Sequence, residues 1–333
     1  MPDGRTSGSP PSINGTRKSG MKKDVQVDDQ QNARRELAAL LSRVKAPPKR
    51  EPFNLKALEA SLEQEREAEA KIQENLRRVA LPKVAAVPTI SDEMRETIKV
   101  AIKNPRFISK CLREQVEFKD LRLLNPGQWL NDEVINFYMA LLQERADNDL
   151  IEVDGQKKKR RDIHCFNSHF YPKLEFDYAK SKVGRWTKKI DIFSKDIIVF
   201  PINKNNVHWL CGAINFKDKR LECYDSMNPN GHAQVYERLR RYLQAEHLDK
   251  KKTPIDLSDW VDYYDTESPQ QDNGYDCGIF SCQTLEHRAR GLGDGDDASA
   301  GAAWEFKQDD MLEIRQLMIY EIGQAKLVPR GNK

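Results

Sequence analysis

The sequence predicts an α+β domain over residues 88–333, with its packed part ending near 326, behind a disordered and helical extension at 1–87. Three observations predict it. The composition changes at LPKVAAVP (81–88), beyond which aromatic and β-branched residues become frequent. Three short β-branched and aromatic runs lie in the middle of the chain. Runs with helical spacing flank them without strict alternation, which favours α+β over a βαβ arrangement.

Residues 1–33 are rich in Gly, Ser, Pro, Lys and Asp. They carry too little apolar surface to offset ordering entropy and read as disordered. A short amphipathic helix is expected at 34–45 through Leu37, Leu40, Leu41 and Val44, ended by KAPPKR (45–50). A longer helix is expected at 54–79, with Asn54 as N-cap. Its thin apolar stripe and charged EQEREAEAK centre make it a solvated helix or linker, with partner docking or targeting as the functional alternative.

Within the domain, Ser91 is placed to cap a helix whose first turn carries Asp92 and Glu93. Residues 131–146 form the next helix, with Val134, Ile135, Phe137, Tyr138, Leu141 and Leu142 apolar. Strands follow at 196–202, 207–216 and 220–226, the last two joined as a hairpin by KDK (217–219). Helices are expected at 232–249, 277–290 and 305–325, with the acidic DGDDASAG (294–301) as a loop. The closing LVPRG (327–331) reads as an exposed tail or a protease-site scar.

Composition narrows the class. The 333 residues carry 55 basic and 52 acidic side chains, a net charge of +3, so a protein built to coat nucleic acid is not expected. No apolar run approaches the roughly 20 residues that span a bilayer. The first residues lack an apolar h-region, so a secretory signal is not expected. The six cysteines form no CxxC pair, which argues against zinc ribbons and thioredoxin-like sites and favours free thiols in nucleus or cytoplasm.

One cysteine stands apart. In PQQDNGYDCGIFSC (269–282), Cys277 follows a Gly-containing turn and opens a helix, with Asp276 at the N-cap position and Gly278 leaving the approach uncrowded. A thiol there meets the positive end of the helix dipole, which favours the nucleophilic thiolate. Cys111, Cys165, Cys211, Cys223 and Cys282 read as buried structural residues. A catalytic cysteine needs a base and an orienting group. His208, at the start of one strand, and Asp225, at the end of the next, fall at the same end of the hairpin. On spacing alone they read equally well as surface residues. Gln271 is placed to donate to an oxyanion, or is a loop glutamine. His164 and His169 lack a second ligand cluster, so no metal site is expected. His232, His247 and His287 read as surface residues, and KKKRR (157–161) as a solvated loop with nuclear import or acidic-partner steering as alternatives.

Five segments occur together in one order: WLNDEVINFYM (129–139), RWTKKIDIF (185–193), VHWLCGAINF (207–216), YDS (224–226) and PQQDNGYDCGIF (269–280). This set resembles the SUMO-specific cysteine proteases, the Ulp and SENP enzymes, over about 88–330. The resemblance implies a papain-like cysteine protease fold with a permuted His-Asp-Cys order. It implies His208, Asp225 and Cys277 as catalytic residues and Gln271 as the oxyanion-hole residue. It implies Trp129 and Trp209 as a tunnel that admits only Gly-Gly, and Asn131 and Asp132 as contacts to the ubiquitin-like body. Trp186 matches a family tryptophan and reads as structural.

The implied activity is hydrolysis of the peptide or isopeptide bond after the C-terminal Gly-Gly of SUMO, in precursor maturation or deconjugation from lysine. No metal or organic cofactor is implied. SUMO and SUMO-conjugated proteins are the expected partners of a monomer in the nucleus, extending to the nuclear periphery and cytoplasm. The alternatives are a NEDD8-specific protease of the same family, a catalytically silent SUMO-binding module, and an acetyltransferase with the same residue order, against which the paired tryptophans argue.

Overall fold

The structure is a computed structural model that describes residues 31–32, 34–36, 38–39, 87–153, 156–291 and 304–330. The chain divides into two compact units, Met1–Ala70 and Lys71–Lys333. Residues 31–32, 34–36 and 38–39 are helical; the last two runs fall in the helix expected at 34–45, whereas 31–32 fall in the stretch expected to be disordered. The rest of the disorder expected at 1–33, the helix expected at 54–79 and the loop expected at 294–301 lie outside the described residues.

The second unit is α+β, as expected. Helix α1 (Asp92–Ala101) starts where Ser91 Oγ accepts the Met94 N–H at 3.2 Å. Strands β1 (Ile108–Cys111) and β2 (Glu114–Glu117) form a hairpin. Helix α2 (Asp132–Asn148) is capped by Asn131, whose side chain accepts the Val134 N–H. A second hairpin joins β3 (Leu150–Val153) to β4 (Gln156–Lys159). The KKKRR run is solvated, as expected, but it begins as a strand rather than a loop. Its first part is a strand, with Lys157 paired across the ladder with Glu152, Lys159 with Asp147, and Arg160 with Asp149.

The central sheet contains β5 (Ile163–Cys165), β6 (Ile197–Lys204), β7 (His208–Asn215), β8 (Arg220–Tyr224) and β9 (Val261–Tyr263), in that order. The outer pairs β5–β6 and β8–β9 are parallel and the inner pairs antiparallel. Both faces are covered, which explains why β6 reads as an unbroken apolar run. Ile197, Val199, Trp209, Cys211, Ala213 and Tyr224 face one core, which contains α1, α2, α4 (Cys277–Arg290) and α5 (Met311–Gln324). Ile198, Phe200, Leu210, Ile214, Leu221 and Cys223 face the other core, under α3 (Ala233–Lys251). Trp186 packs in this second core beside Phe166 and Phe170. Helix α5 begins at Met311, later than the expected 305, after a 3₁₀ turn at Gln308–Asp310.

Helix α4 is buried from Cys277 to Ala289, so its polar side chains need internal partners. Glu286 is met by Arg145, Arg290 and Arg330. Burial alone would raise this carboxyl, but the three guanidinium groups hold it well below the usual range. Arg288 forms a bidentate pair with Glu222 at 2.7 and 2.8 Å. Leu327 is buried and the side chain of half-buried Arg330 is covered, so the C-terminal LVPR is no exposed tail; Arg330 closes the cluster on Glu286. His287, expected at the surface, is 2% exposed and stacks on Trp304. Burial lowers its imidazole to about 3, so it is a neutral core side chain.

Candidate active site

Helix α4 delivers Cys277 from the inside of the molecule. The helix begins at Cys277, as the turn before it predicts, but Asp276 does not cap it through its side chain. The Asp276 carboxylate is instead held by Arg315 of α5 at 2.6 and 2.9 Å, with Asn273 and Gln308 adding hydrogen bonds. Arg315 also donates to the carbonyls of Leu123, Asn125 and Gln128, just before Trp129. One buried guanidinium thus ties the nucleophile's turn to the loop that carries Trp129. Gly278 is required for a different contact from the one expected. A Cβ there would lie 2.9 Å from Leu130 Cβ, so glycine lets the helix approach the start of α2.

The hairpin delivers the other two groups. Antiparallel register opposes Cys211 to Tyr224, which places Asp225 near the start of β7. Nε2 of His208 lies 2.6 Å from Oδ1 of Asp225. Cys277 is the ring's other electrostatic partner, so with Nε2 on the carboxylate, Nδ1 is the nitrogen left to face the thiol. Burial opposes charge on His208, but the hydrogen bond to Asp225 and the interaction with Cys277 outweigh it and raise the imidazole to about 9. Burial likewise opposes charge on Asp225, yet hydrogen bonds from His208, the Met227 N–H and His232 lower its carboxyl. The site therefore holds a protonated imidazole at neutral pH, the charge that a thiolate partner needs.

The other five thiols lack such a partner. Burial pushes Cys111 up to about 11 and Cys165 and Cys223 up to about 12, and raises Cys211 and Cys282 as well. They are structural, as expected.

A cleft of about 260 Å³ opens onto Cys277, lined by Trp129, Asn131, Asp132, Asn203, His208 and Trp209 among others. Its two indoles differ. Trp209 is 5% exposed and its Nε1 donates to the Leu130 carbonyl at 3.0 Å, whereas Trp129 is 50% exposed. Asn131 and Asp132 line the cleft while already engaged, Asn131 with Asp120 and Asp132 with Ser168. Asn203 Oδ1 is buried at this cleft without a hydrogen-bond partner. Gln271 sits in the loop before Cys277. Its N–H donates to the Ser226 carbonyl, its Oε1 accepts from Ser226 Oγ, and its Nε2 donates to Asn273 O.

Sequence reasoning missed His232. Expected at the surface, it is half-buried and its Nε2 lies 2.7 Å from Oδ2 of Asp225. The PNG turn at 229–231, which folds the chain back just before His232, seven residues after Asp225, was the signal available for it. His247, also expected at the surface, is half-buried, with Nδ1 against the Thr253 carbonyl. His164 and His169 do not join a metal cluster; among the described residues no group of three His, Cys, Asp or Glu is placed to hold a metal ion. No helix among them is long and apolar enough to cross a membrane.

Comparison with known proteins gives the family of the domain. The family model of the Ulp1 protease family, C-terminal catalytic domain, matches residues 128–327. The chain is 39% identical over 214 residues to a sentrin-specific protease of Caenorhabditis elegans, covering 64% of this chain and 28% of that protein. It is 34% identical over 223 residues to sentrin-specific protease 2 of Mus musculus, covering 66% of this chain and 34% of that protein. It thus spans about a third or less of the length of these relatives. A solved structure of the C-terminal Ulp1 protease domain in complex with Smt3, the yeast ortholog of SUMO, aligns with a TM-score of 0.55 at 26% identity, covering 72% of this chain and 97% of that one. With a matched catalytic domain that runs from Gln128 through Asp225 and Cys277 to Leu327, the chain belongs to the Ulp1 protease family.

Proposed function

We propose that this protein is a cysteine protease and isopeptidase that hydrolyses the bond after the C-terminal Gly-Gly of SUMO. The observation that carries the reading is the convergence of Cys277, His208 and Asp225 at the end of a cleft flanked by Trp129 and Trp209. The Cys277 thiolate attacks the glycine carbonyl. The tetrahedral oxyanion is met by Gln271, once its amide turns from Asn273, and by main-chain N–H groups at the start of α4. The C–N bond then breaks as the His208 imidazolium gives its proton to the leaving amine, forming a thioester. Water attacks the thioester with His208 as base and frees the carboxylate. Asp225 holds the imidazole in one tautomer throughout.

The indoles of Trp129 and Trp209 form walls for a tail without side chains. Asn203 Oδ1 is an acceptor waiting for a backbone N–H. Asn131 and Asp132 contribute to the rim that meets the SUMO body. The Ulp1 domain captured with Smt3 supports SUMO over other ubiquitin-like proteins. Residues 1–87 serve targeting, and the protein acts as a monomer in the nucleus.

The test is release of a fluorogenic group from the C-terminus of SUMO, with NEDD8 and ubiquitin probes in parallel. Cleavage of SUMO alone is expected, reduced by about 10⁴-fold or more in Cys277→Ala. Cleavage of NEDD8 alone would move the substrate and keep the mechanism. A folded protein that binds SUMO and cleaves none of the probes would sink the enzymatic reading.

A further inference from the structure

The catalytic carboxylate has two oxygens, and a histidine meets each. Oδ1 of Asp225 lies 2.6 Å from His208 Nε2 and also accepts the Met227 N–H at 2.9 Å. Oδ2 lies 2.7 Å from His232 Nε2. A carboxylate turns about a single bond, so a donor on the second oxygen fixes the plane of the group as well as its position.

His232 is itself held by its main chain. Gly231 before it has φ +69°, and a Cβ there would lie 2.2 Å from the Tyr236 hydroxyl, so the turn that aims His232 requires glycine. The His232 carbonyl accepts the Val235 N–H at 2.9 Å at the start of α3. Its main-chain N–H faces the Cys223 thiol and the Tyr236 hydroxyl. The titratable groups around it are therefore Asp225 and Cys223 of the β8 region, His208 of β7, Tyr236 of α3, and Tyr264, whose Cβ lies near Gly231.

We propose that His232 is a positioning residue for the reaction. By holding Oδ2 it sets the Asp225 carboxylate so that Oδ1 meets His208 Nε2, and the ring then presents Nδ1 to Cys277. It does not touch the reacting atoms. The inference rests on the assignment of Cys277 and His208 as nucleophile and base.

The experiment uses the full chain and two readouts. One is the rate of Cys277 alkylation by iodoacetamide at pH 6.5, located by peptide mass spectrometry, which needs no substrate. The other is kcat and KM on the fluorogenic SUMO probe across pH. His232→Ala is expected to slow both alkylation and kcat by about tenfold, the net worth of one hydrogen bond. KM should stay unchanged. The alkaline limb of kcat should move down from about 9, because a loosened carboxylate holds the imidazolium less well. His232→Gln, which keeps a neutral donor, should recover most of the loss. Wild-type alkylation and turnover in His232→Ala would overturn the proposal. So would a lower Tm with the alkylation rate and alkaline limb unmoved, which is the signature of a merely structural residue. A wild-type protein that cleaves no SUMO probe overturns the proposed substrate, while the alkylation rates still decide the role of His232.

Discussion

His208 and Asp225 are 17 residues apart and meet through the register of one hairpin, whereas the turn of Cys277 is held by Arg315, whose guanidinium reaches carbonyls up to 192 residues away. The base half is thus built locally. Strand pairing that forms β7 and β8 brings its two residues together at once, because a hairpin closes only a short loop. The nucleophile half is built globally. Its helix is buried from Cys277 to Ala289, and Asp276 is neutralised by Arg315 from another helix. Damage to the first half should therefore disable chemistry in a folded protein, while damage to the second should cost the fold as well.

Asp225→Asn is the strongest test of the local half. The substitution keeps size and removes charge, so Tm should change little. kcat should fall by about 10²–10⁴-fold as the imidazole loses its tautomer and charge partner. The sign of the pH effect follows from the raised value of His208. That group supports the folded, ion-paired state fully below about 6.5 and loses its contribution as pH rises through about 9. Without Asp225 the alkaline limb should move down from about 9 toward 6.5. A limb that stays in place would show that Asp225 does not hold the imidazolium.

Arg315→Ala tests the global half. It leaves Asp276 as a buried, unpaired carboxylate, with an expected cost of about 3–5 kcal/mol. For a domain of this size that lowers Tm by roughly 6–20 °C. Arg315→Lys should recover only part of the loss, because an ammonium cannot bridge Asp276 and the carbonyls of Leu123, Asn125 and Gln128 together. Thermal denaturation that finds either variant as stable as the parent would break the distinction between the halves.

Trp129→Ala should have the smallest effect, confined to binding. The indole is 50% exposed, so Tm should hardly move, while KM for the SUMO probe should rise about tenfold as one wall of the cleft is lost. A change in kcat without a change in KM would remove Trp129 from the tail-binding surface.

Much of this was legible before any coordinates. The β-branched and aromatic runs became β6, β7 and β8, and KDK became the turn between the last two, because strands covered on both faces declare themselves by apolar and β-branched composition. Cys277 opened its helix as the preceding turn implied. The misreadings share one cause, which is partners far away in sequence. Asp276 looked like a cap because local pattern contains no Arg315. His287 looked exposed because its charged neighbours Glu286 and Arg288 are themselves buried, paired with Arg145 and Glu222. KKKRR looked like a loop because all its side chains are charged, while the strand it pairs with, LIEV at 150–153, carries the apolar residues.

By itself, the amino-acid order determined the main helices, the three inner strands of the sheet, the hairpin that puts His208 and Asp225 at one end, and the thiol that opens a helix, since each depends on interactions between near neighbours. Tertiary structure alone decided that Arg315 neutralises Asp276, that Gly278 makes room for Leu130, and that His232 returns to the second oxygen of Asp225. Those contacts depend on how elements pack, and a buried charge or a missing Cβ acquires its meaning only from the atom placed opposite it.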